Sequence, residues 1–372
     1  MAKAGEVGEF GLIDRIRARR TAHGDDVVLG IGDDCAVLRR GPVLELLTTD
    51  CLVEGTHYEP GWMTMKDIGW KAMAVNVSDI AAMGGHPGHA LVTLFLPDGF
   101  TTTELDDLYQ GMEECGEQMG VTVVGGDIVK IEGPFAVSIT LSGICERDQL
   151  VLRSGARKGD IIAVTGALGE ASVGLRMLKE GKGAIAAGAD KPGAAPAGSG
   201  AGDASAAGPD VPGHALDPHA EACLDRFRRP MPRLKASRTI TRELLPSSMI
   251  DISDGLLSDL GHVLEASNVG AVLDAGQIPV GQGVLDYLGG DREAAVSQAL
   301  SGGEDYELLF SIDCRHEEDL PEIASKLGTD ITPIGRITAK GSGVKLSGSD
   351  GEREVGRGGF DHFKPADQQG RG

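Results

Sequence analysis

Carboxylates that follow short apolar runs are the residues of this chain best suited to chemistry. Asp50 closes Val43-Leu44-Glu45-Leu46-Leu47-Thr48-Thr49, and Asp127 closes Val121-Thr122-Val123-Val124-Gly125-Gly126. Asp251 follows Met249-Ile250 and leads into Ile252-Ser253-Asp254-Gly255, while Gly30-Ile31-Gly32-Asp33-Asp34 adds an acidic pair. A strand that ends in Asp presents an oxygen at a sheet edge, and several such ends converging suit hard cations such as Mg²⁺. A single Asp-Gly or Ser-Asp is more commonly a turn or a helix cap. The recurrence is what points to metal-bound phosphates.

These residues need elements to position them. Ile68, Ala72, Val75 and Asp79 fall at helical spacing, so a helix over Asp67 to Met83 carries Asp79 on its inward stripe, where a charge requires a cation or a donor. Around it, the pattern predicts an early helix from Glu9 to Arg19, a strand up to Thr49, and a strand from His89 to Leu96. A helix from Thr103 to Met119 follows, then strands Val121 to Val124 and Phe135 to Ile144. The polar run from Arg153 to Asp160 reads as a junction. A domain boundary just before it gives an amino-terminal domain over 1–148 and a carboxy-terminal domain over 149–372.

Beyond the junction come a strand Ile161 to Thr165, a turn at Gly166 to Gly169 and a helix through Leu178. That turn has neither the Walker pattern nor a convincing G-x-G-x-x-G fingerprint, which argues against a P-loop or Rossmann site and favours a packing turn. Residues 181–213 are almost wholly Gly, Ala, Pro, Asp and Ser, a composition that buries too little apolar surface to offset ordering entropy. The segment is expected to be a disordered insertion. Helical signals resume at Pro218 to Phe227, and a helix from Gly255 to Ala266 has Ser253 or Asp254 available as its cap.

Composition excludes several classes. The 372 residues suffice for two domains, and the formal net charge of -21 opposes nucleic acid and anionic membranes as partners. No stretch approaches the roughly 20 apolar residues of a membrane span, and the start lacks a secretory signal, so a cytoplasmic location is expected. The six cysteines include no Cys-x-x-Cys pair, which argues against structural zinc and for reduced, mostly buried thiols.

Read together, a set of motifs resembles the thiamine-monophosphate kinase family. They are Gly30-Ile31-Gly32-Asp33-Asp34-Cys35-Ala36, Thr48-Thr49-Asp50, Glu54-Gly55-Thr56-His57, Asn76 to Gly84, Gly125-Gly126-Asp127, Asp251 to Leu256 and Gly302 to Leu308. They occur in the family's order and span nearly the whole chain outside the insertion. The resemblance implies the two-domain fold shared with aminoimidazole ribonucleotide synthetase: an amino-terminal α/β domain that dimerises through its sheet, and a carboxy-terminal α+β domain. It implies a homodimer that converts ATP and thiamine monophosphate to ADP and thiamine diphosphate, with several Mg²⁺ ions as cofactors.

By motif position the resemblance makes Asp34, Thr48, Thr49, Asp50, Asp79, Asp127, Asp251 and Asp254 the Mg²⁺ shell. It assigns Tyr109, Gly126, Asp127, Arg153 and Ser253 to ATP, and His57 and Glu304 to the thiamine phosphate. Phe360 stands where many members of the family carry a tryptophan, and it could still stack on the substrate pyrimidine. No residue is assigned as general base. A phosphate monoester has a second pKa of about 6, so the nucleophilic oxygen is largely ionised at neutral pH. His262, on the helix after Asp254, is expected to be structural.

Other readings fit less well. An amidine-forming cyclase would share several of the acids. A selenophosphate synthetase would carry a reactive cysteine near its start in a separate flexible loop, whereas Cys35 directly follows the acidic pair. A hydrogenase maturation factor would end in a reactive cysteine, whereas the last thiol here is Cys314. A calcium-storage protein is disfavoured because no segment has the EF-hand spacing.

Overall fold

A long strand and a long buried helix set the frame. In a computed structural model the protein is described over residues 8–19, 24–185, 216–341, 343–349 and 351–356. Phe360 and residues 186–213 of the expected insertion lie outside the described residues. The first half holds α1 (Glu9–Arg17), β1 (Val27–Leu29), β2 (Ala36–Arg40), β3 (Val43–Val53), α2 (Met65–Ala82), β4 (His86–Leu96), α3 (Thr102–Met119), β5 (Thr122–Lys130) and β6 (Ala136–Cys145). The strands form one six-stranded sheet in the order β1-β2-β3-β6-β4-β5. Neighbours are antiparallel except β4 and β5, whose parallel pairing is made possible by the α3 crossover.

Leu44, Leu46 and Leu52 of β3 face inward with Val37, Val92, Ile139 and Leu141, and α2 covers that face. The helix starts at Met65 because Thr64 and Asp67 form a capping box. It is buried nearly all round, enclosed by the sheet, by α3 and by the second half of the chain. α2 and α3 come unusually close at two glycines. A Cβ on Gly69 would lie 1.9 Å from Leu108 O, and one on Gly111 would lie 1.9 Å from Lys66 O.

The second half holds β7 (Ile161–Thr165), α4 (Glu170–Lys179), α5 (Pro218–Arg228), α6 (Leu234–Glu243), β8 (Ser248–Asp251), α7 (Leu256–Ser267), β9 (Gly270–Asp274), α8 (Gln282–Tyr287), α9 (Arg292–Ser301), β10 (Leu308–Ile312), α10 (Leu320–Leu327), β11 (Ile331–Thr338), β12 (Val344–Gly348) and β13 (Gly351–Val355). Its seven-stranded sheet has the order β13-β12-β9-β11-β7-β10-β8. Every residue of β7 is buried, with Ile162 and Val164 packed on the α7 side and Ile161 and Ala163 on the α6 side. That pattern is the alternation expected of a strand covered by helices on both faces. The first core also runs on into α4 and α5 through Val173, Met177, Leu224 and Phe227, so the two halves share apolar packing.

Three local expectations need correction. Asp50 and Asp127 do not end their strands: β3 continues to Val53 and β5 to Lys130. Asp50 is paired with Ile139 inside a ladder that β6 sustains to Ala136. Neither Ser253 nor Asp254 caps α7, whose N-cap is Gly255 with no side-chain hydrogen bond. Asp259, one turn inside the helix, accepts the backbone N–H groups of Ser253, Asp254 and Gly255 at 3.1, 3.2 and 3.1 Å. All six cysteines are free, and four are buried. Among the described residues no helix is long and apolar enough to cross a membrane.

Candidate active site

The acids converge where the two halves meet. Asp34 lies just before β2, Asp79 in the last turns of α2 and Asp251 at the end of β8. One carboxylate oxygen from each lies within 4.8 Å of the others. Their remaining hydrogen bonds fix them in place. Thr48 Oγ1 donates to Asp79, and Ser78 Oγ donates to Asp251 at 2.6 Å. Arg153 donates to Asp34 through Nε at 3.1 Å and through a terminal nitrogen, while its backbone N–H reaches Asp33 at 3.2 Å. Asn76 Oδ1 accepts the Asp50 N–H at 3.0 Å, tying the middle of β3 to α2.

This concentration of charge is poorly compensated by the protein itself. Burial, then the neighbouring Asp34, push the Asp33 carboxyl up to about 7. Burial and Asp34 likewise hold Asp251 up to about 7. Asp79 is raised well above the usual range by burial and by the charges of Asp50, Asp251 and Asp34. Burial also raises Asp34, outweighing the opposing Arg153 guanidinium. Asp34 Oδ2 is buried and accepts no hydrogen bond. An unpartnered buried carboxylate oxygen among crowded carboxylates is costly unless a cation meets it. The donors are all hard oxygens, the set that suits Mg²⁺.

The sequence-derived candidates divide accordingly. Asp34, Thr48, Asp50, Asp79, Arg153 and Asp251 are brought together. Thr49 sits on the opposite face of β3, where its hydroxyl donates to Ile139 O and accepts from Thr140. Asp127 stands in register with Thr93, a position alternating with buried Val92 and Leu94. Its carboxylate is therefore also on the sheet face away from α2. Gly126 has a packing reason to be glycine, since a Cβ there would lie 1.8 Å from Val92 O. Tyr109 packs, half-buried, against the first core. Asp254 belongs to a second oxygen-rich group with Asp259 and His262, and Ser253 O accepts the Glu304 N–H at 2.7 Å.

His57, in the loop after β3, accepts the Val53 N–H at Nδ1 (3.0 Å), which places its ring proton on Nε2 as a donor. Glu304 lies in the 302–307 loop, which is anchored on both sides. Asp305 accepts the Gly169 N–H at 2.8 Å, and buried Glu307 accepts Thr165 Oγ1 and Arg233 Nε, each at 2.6 Å. Burial drives the Asp305 carboxyl up to about 8. Four contributors received no role from sequence: Lys71, Ser78, Asp259 and Tyr306. Tyr306 is buried, and the charges of Glu304, Asp50, Asp251 and Asp79 add to burial in raising its pKa well above normal. Lys71 could have been found from helical spacing, since a lysine four and eight residues before Val75 and Asp79 shares their inward stripe.

Comparisons with known proteins identify the family and the fold. Residues 32–145 match the family described as AIR synthase related protein, N-terminal domain, and residues 200–346 match the corresponding C-terminal domain. The thiamine-monophosphate kinase of Haemophilus influenzae is 33% identical over 370 residues, covering 96% of this chain and 98% of the relative. That of Escherichia coli is 34% identical over 362 residues, covering 96% and 98%. Among solved structures, AaThiL complexed with AMPPCP and TMP superposes with a TM-score of 0.78 at 32% identity, covering 98% of this chain and 99% of that one.

Proposed function

Because the chain belongs to the thiamine-monophosphate kinase family, a family of phosphotransferases acting on a phosphate group, we propose that it moves the γ-phosphoryl group of ATP directly onto thiamine monophosphate. The observation that carries this reading is the trio Asp34, Asp79 and Asp251, with their oxygens within 4.8 Å and one buried oxygen without a partner. Asp34, Thr48, Asp50, Asp79 and Asp251 would hold Mg²⁺. Bound there, the metal would neutralise phosphate oxygens and so reduce the repulsion between two anionic substrates.

The protein's own groups do the rest. Arg153, fixed by the Asp33–Asp34 pair, would offer its guanidinium to ATP, and Gly126 and Ser253 would also contact the nucleotide. His57 offers an Nε2–H donor to the thiamine phosphate. Glu304 offers a carboxylate to a substrate whose thiazolium ring is cationic. No side chain has to remove a proton, because the acceptor oxygen enters ionised. Asp254 would extend the metal-binding set on the α7 side, and Tyr109 and Phe360 would border the nucleotide and the pyrimidine.

A homodimer through the first sheet belongs to the same reading. Leu91 of β4, Val129 of β5 and Ile144 of β6 are exposed on the sheet face away from α2, an apolar surface that a second copy would cover. Thr49 and Asp127 lie on that side, so they would act at the dimer interface. The domains proposed are 1–148 and 149–372, in a cytoplasmic enzyme.

The acceptor tests the substrate assignment. Unphosphorylated thiamine should support less than about a hundredth of the turnover seen with thiamine monophosphate, since its alcohol needs a base that the site does not provide. Equal use of the two acceptors would sink the assignment. Radiolabel from γ-³²P-ATP retained on the denatured protein at turnover-competent levels would refute direct transfer.

A further inference from the structure

Among the described residues Lys71 is the most deeply buried lysine or arginine, and the proposed chemistry leaves it unused. α2 carries Lys71, Val75 and Asp79 at four-residue intervals, one above another on one face. Lys71 therefore stands two turns, about 12 Å along the axis, from the acidic cluster. Its side chain is 1% exposed. Nζ donates to Phe227 O at 2.8 Å and to Glu304 Oε2 at 3.0 Å, and it lies 3.8 Å from the centroid of the Phe227 ring. An ammonium has three donors and no acceptor. Two acceptors and a ring face occupy all three, so none remains for a nucleotide phosphate.

Burying this charge is costly. Desolvation pulls the Lys71 pKa below its ordinary value, and only Glu304 opposes that shift. A methionine of similar length would pack at this place without the penalty. The charge therefore has its purpose in the carboxylate it meets. Glu304 is held from its other side as well: its N–H donates to Ser253 O, and its φ of 67° is a left-handed conformation unusual for a long side chain. Its side chain remains 25% exposed, with Oε2 taken by Lys71 and Oε1 without a protein partner among the described residues.

We propose that Lys71 is a positioning residue for substrate recognition, whose buried ammonium aims the Glu304 carboxylate at the thiamine moiety from the same helix that carries Asp79. Lys71 itself touches neither substrate nor nucleotide. The inference rests on the reading of Glu304 as a contact to thiamine monophosphate. It adds a ruler: α2 fixes the spacing between the recognised thiamine and the reacting phosphates. Since Lys71 belongs to the first half and Glu304 to the second, the same ion pair also sets how the halves meet at the substrate.

Steady-state kinetics of the full-length protein test this with K71M, E304Q and the double variant, each substrate varied at saturating levels of the other. K71M should raise the KM for thiamine monophosphate at least about tenfold and change the KM for ATP less than about twofold. In the E304Q background K71M should add less than about twofold, because its partner is already neutral. A merely structural lysine would shift both KM values, or neither. If K71M does not accumulate as folded protein, K71Q, which loses the charge but keeps an N–H donor, should show the same selective rise. An unchanged KM for thiamine monophosphate in the folded lysine variant, a parallel rise for ATP, or multiplying effects in the double variant would overturn the proposal. E304Q with native KM for thiamine monophosphate would instead refute the role of Glu304, and Lys71 would fall with it.

Discussion

Asp79→Asn should lower turnover at least about a hundredfold while leaving the protein folded, and Asp50→Asn should do the same. Each change keeps the side-chain volume and removes one negative charge. Asp79 sits among Asp34, Asp50 and Asp251, whose charges all raise its pKa, so an amide there relieves repulsion that burial has made severe. The melting temperature of cation-free Asp79→Asn is therefore expected to equal or exceed that of the wild type. Asp50 is exposed, and its backbone is held by Asn76, so an amide leaves β3 undisturbed. Turnover measured across a Mg²⁺ titration, with thermal melts alongside, separates lost metal affinity from lost folding. Near-native activity of either variant at every Mg²⁺ concentration would remove that residue from the metal-binding set.

Chelation of divalent cations should abolish turnover, and the accompanying change in stability should depend on pH with a defined sign. Asp33 and Asp251 are held up to about 7 in the folded protein, and Asp79 is raised well above the usual carboxylate range. The unfolded chain titrates at about 3.9, so the cation-free fold binds protons that the unfolded chain has released. Their stabilising contribution is complete below about pH 4 and is lost as pH rises through about 7. The cation-free protein should therefore melt at a lower temperature at about pH 8 than at about pH 5. Added Mg²⁺ should raise the melting temperature more at the higher pH, because there it no longer competes with protons for the same oxygens. An equal rise at both pH values, or a larger one in acid, would show that the cation binds elsewhere.

Most elements of the first half were legible because they obey simple periodicities, whereas the short strands β1 and β2 were not read. Ile68, Ala72, Val75 and Asp79 announced α2, and the Thr64–Asp67 box that starts it is a four-residue pattern. The strands β3, β4 and β6 were found as alternating or apolar runs, but the extension of β3 past Asp50 depends on its partner β6, a non-local fact. In the second half β7 was found to the residue. The strands after Ala266 were not, since Gly270–Asp274 and Val344–Gly348 are short and owe their place to pairing with distant segments.

Site residues followed the same rule. The motifs marked Asp34, Asp79 and Asp251, yet nothing local in the sequence says that an end of β8 meets the end of α2. Ser78 and Lys71 were missed because their roles exist only across the two halves, through Asp251 and Glu304. Asp259 was missed because its three backbone donors come from a loop conformation that no spacing rule supplies. Asp127 and Thr49 were marked by motif, and only the pleat of the sheet reveals that they lie on the face away from α2.

The most direct measurement is a product assay. The purified protein is incubated with ATP, Mg²⁺ and thiamine monophosphate, and thiamine diphosphate and ADP are quantified by chromatography as they form. Thiamine diphosphate should accumulate in a one-to-one ratio with ADP and depend on all three additions. ADP released without thiamine diphosphate, or no reaction across a range of Mg²⁺ concentrations and pH, would contradict the assignment.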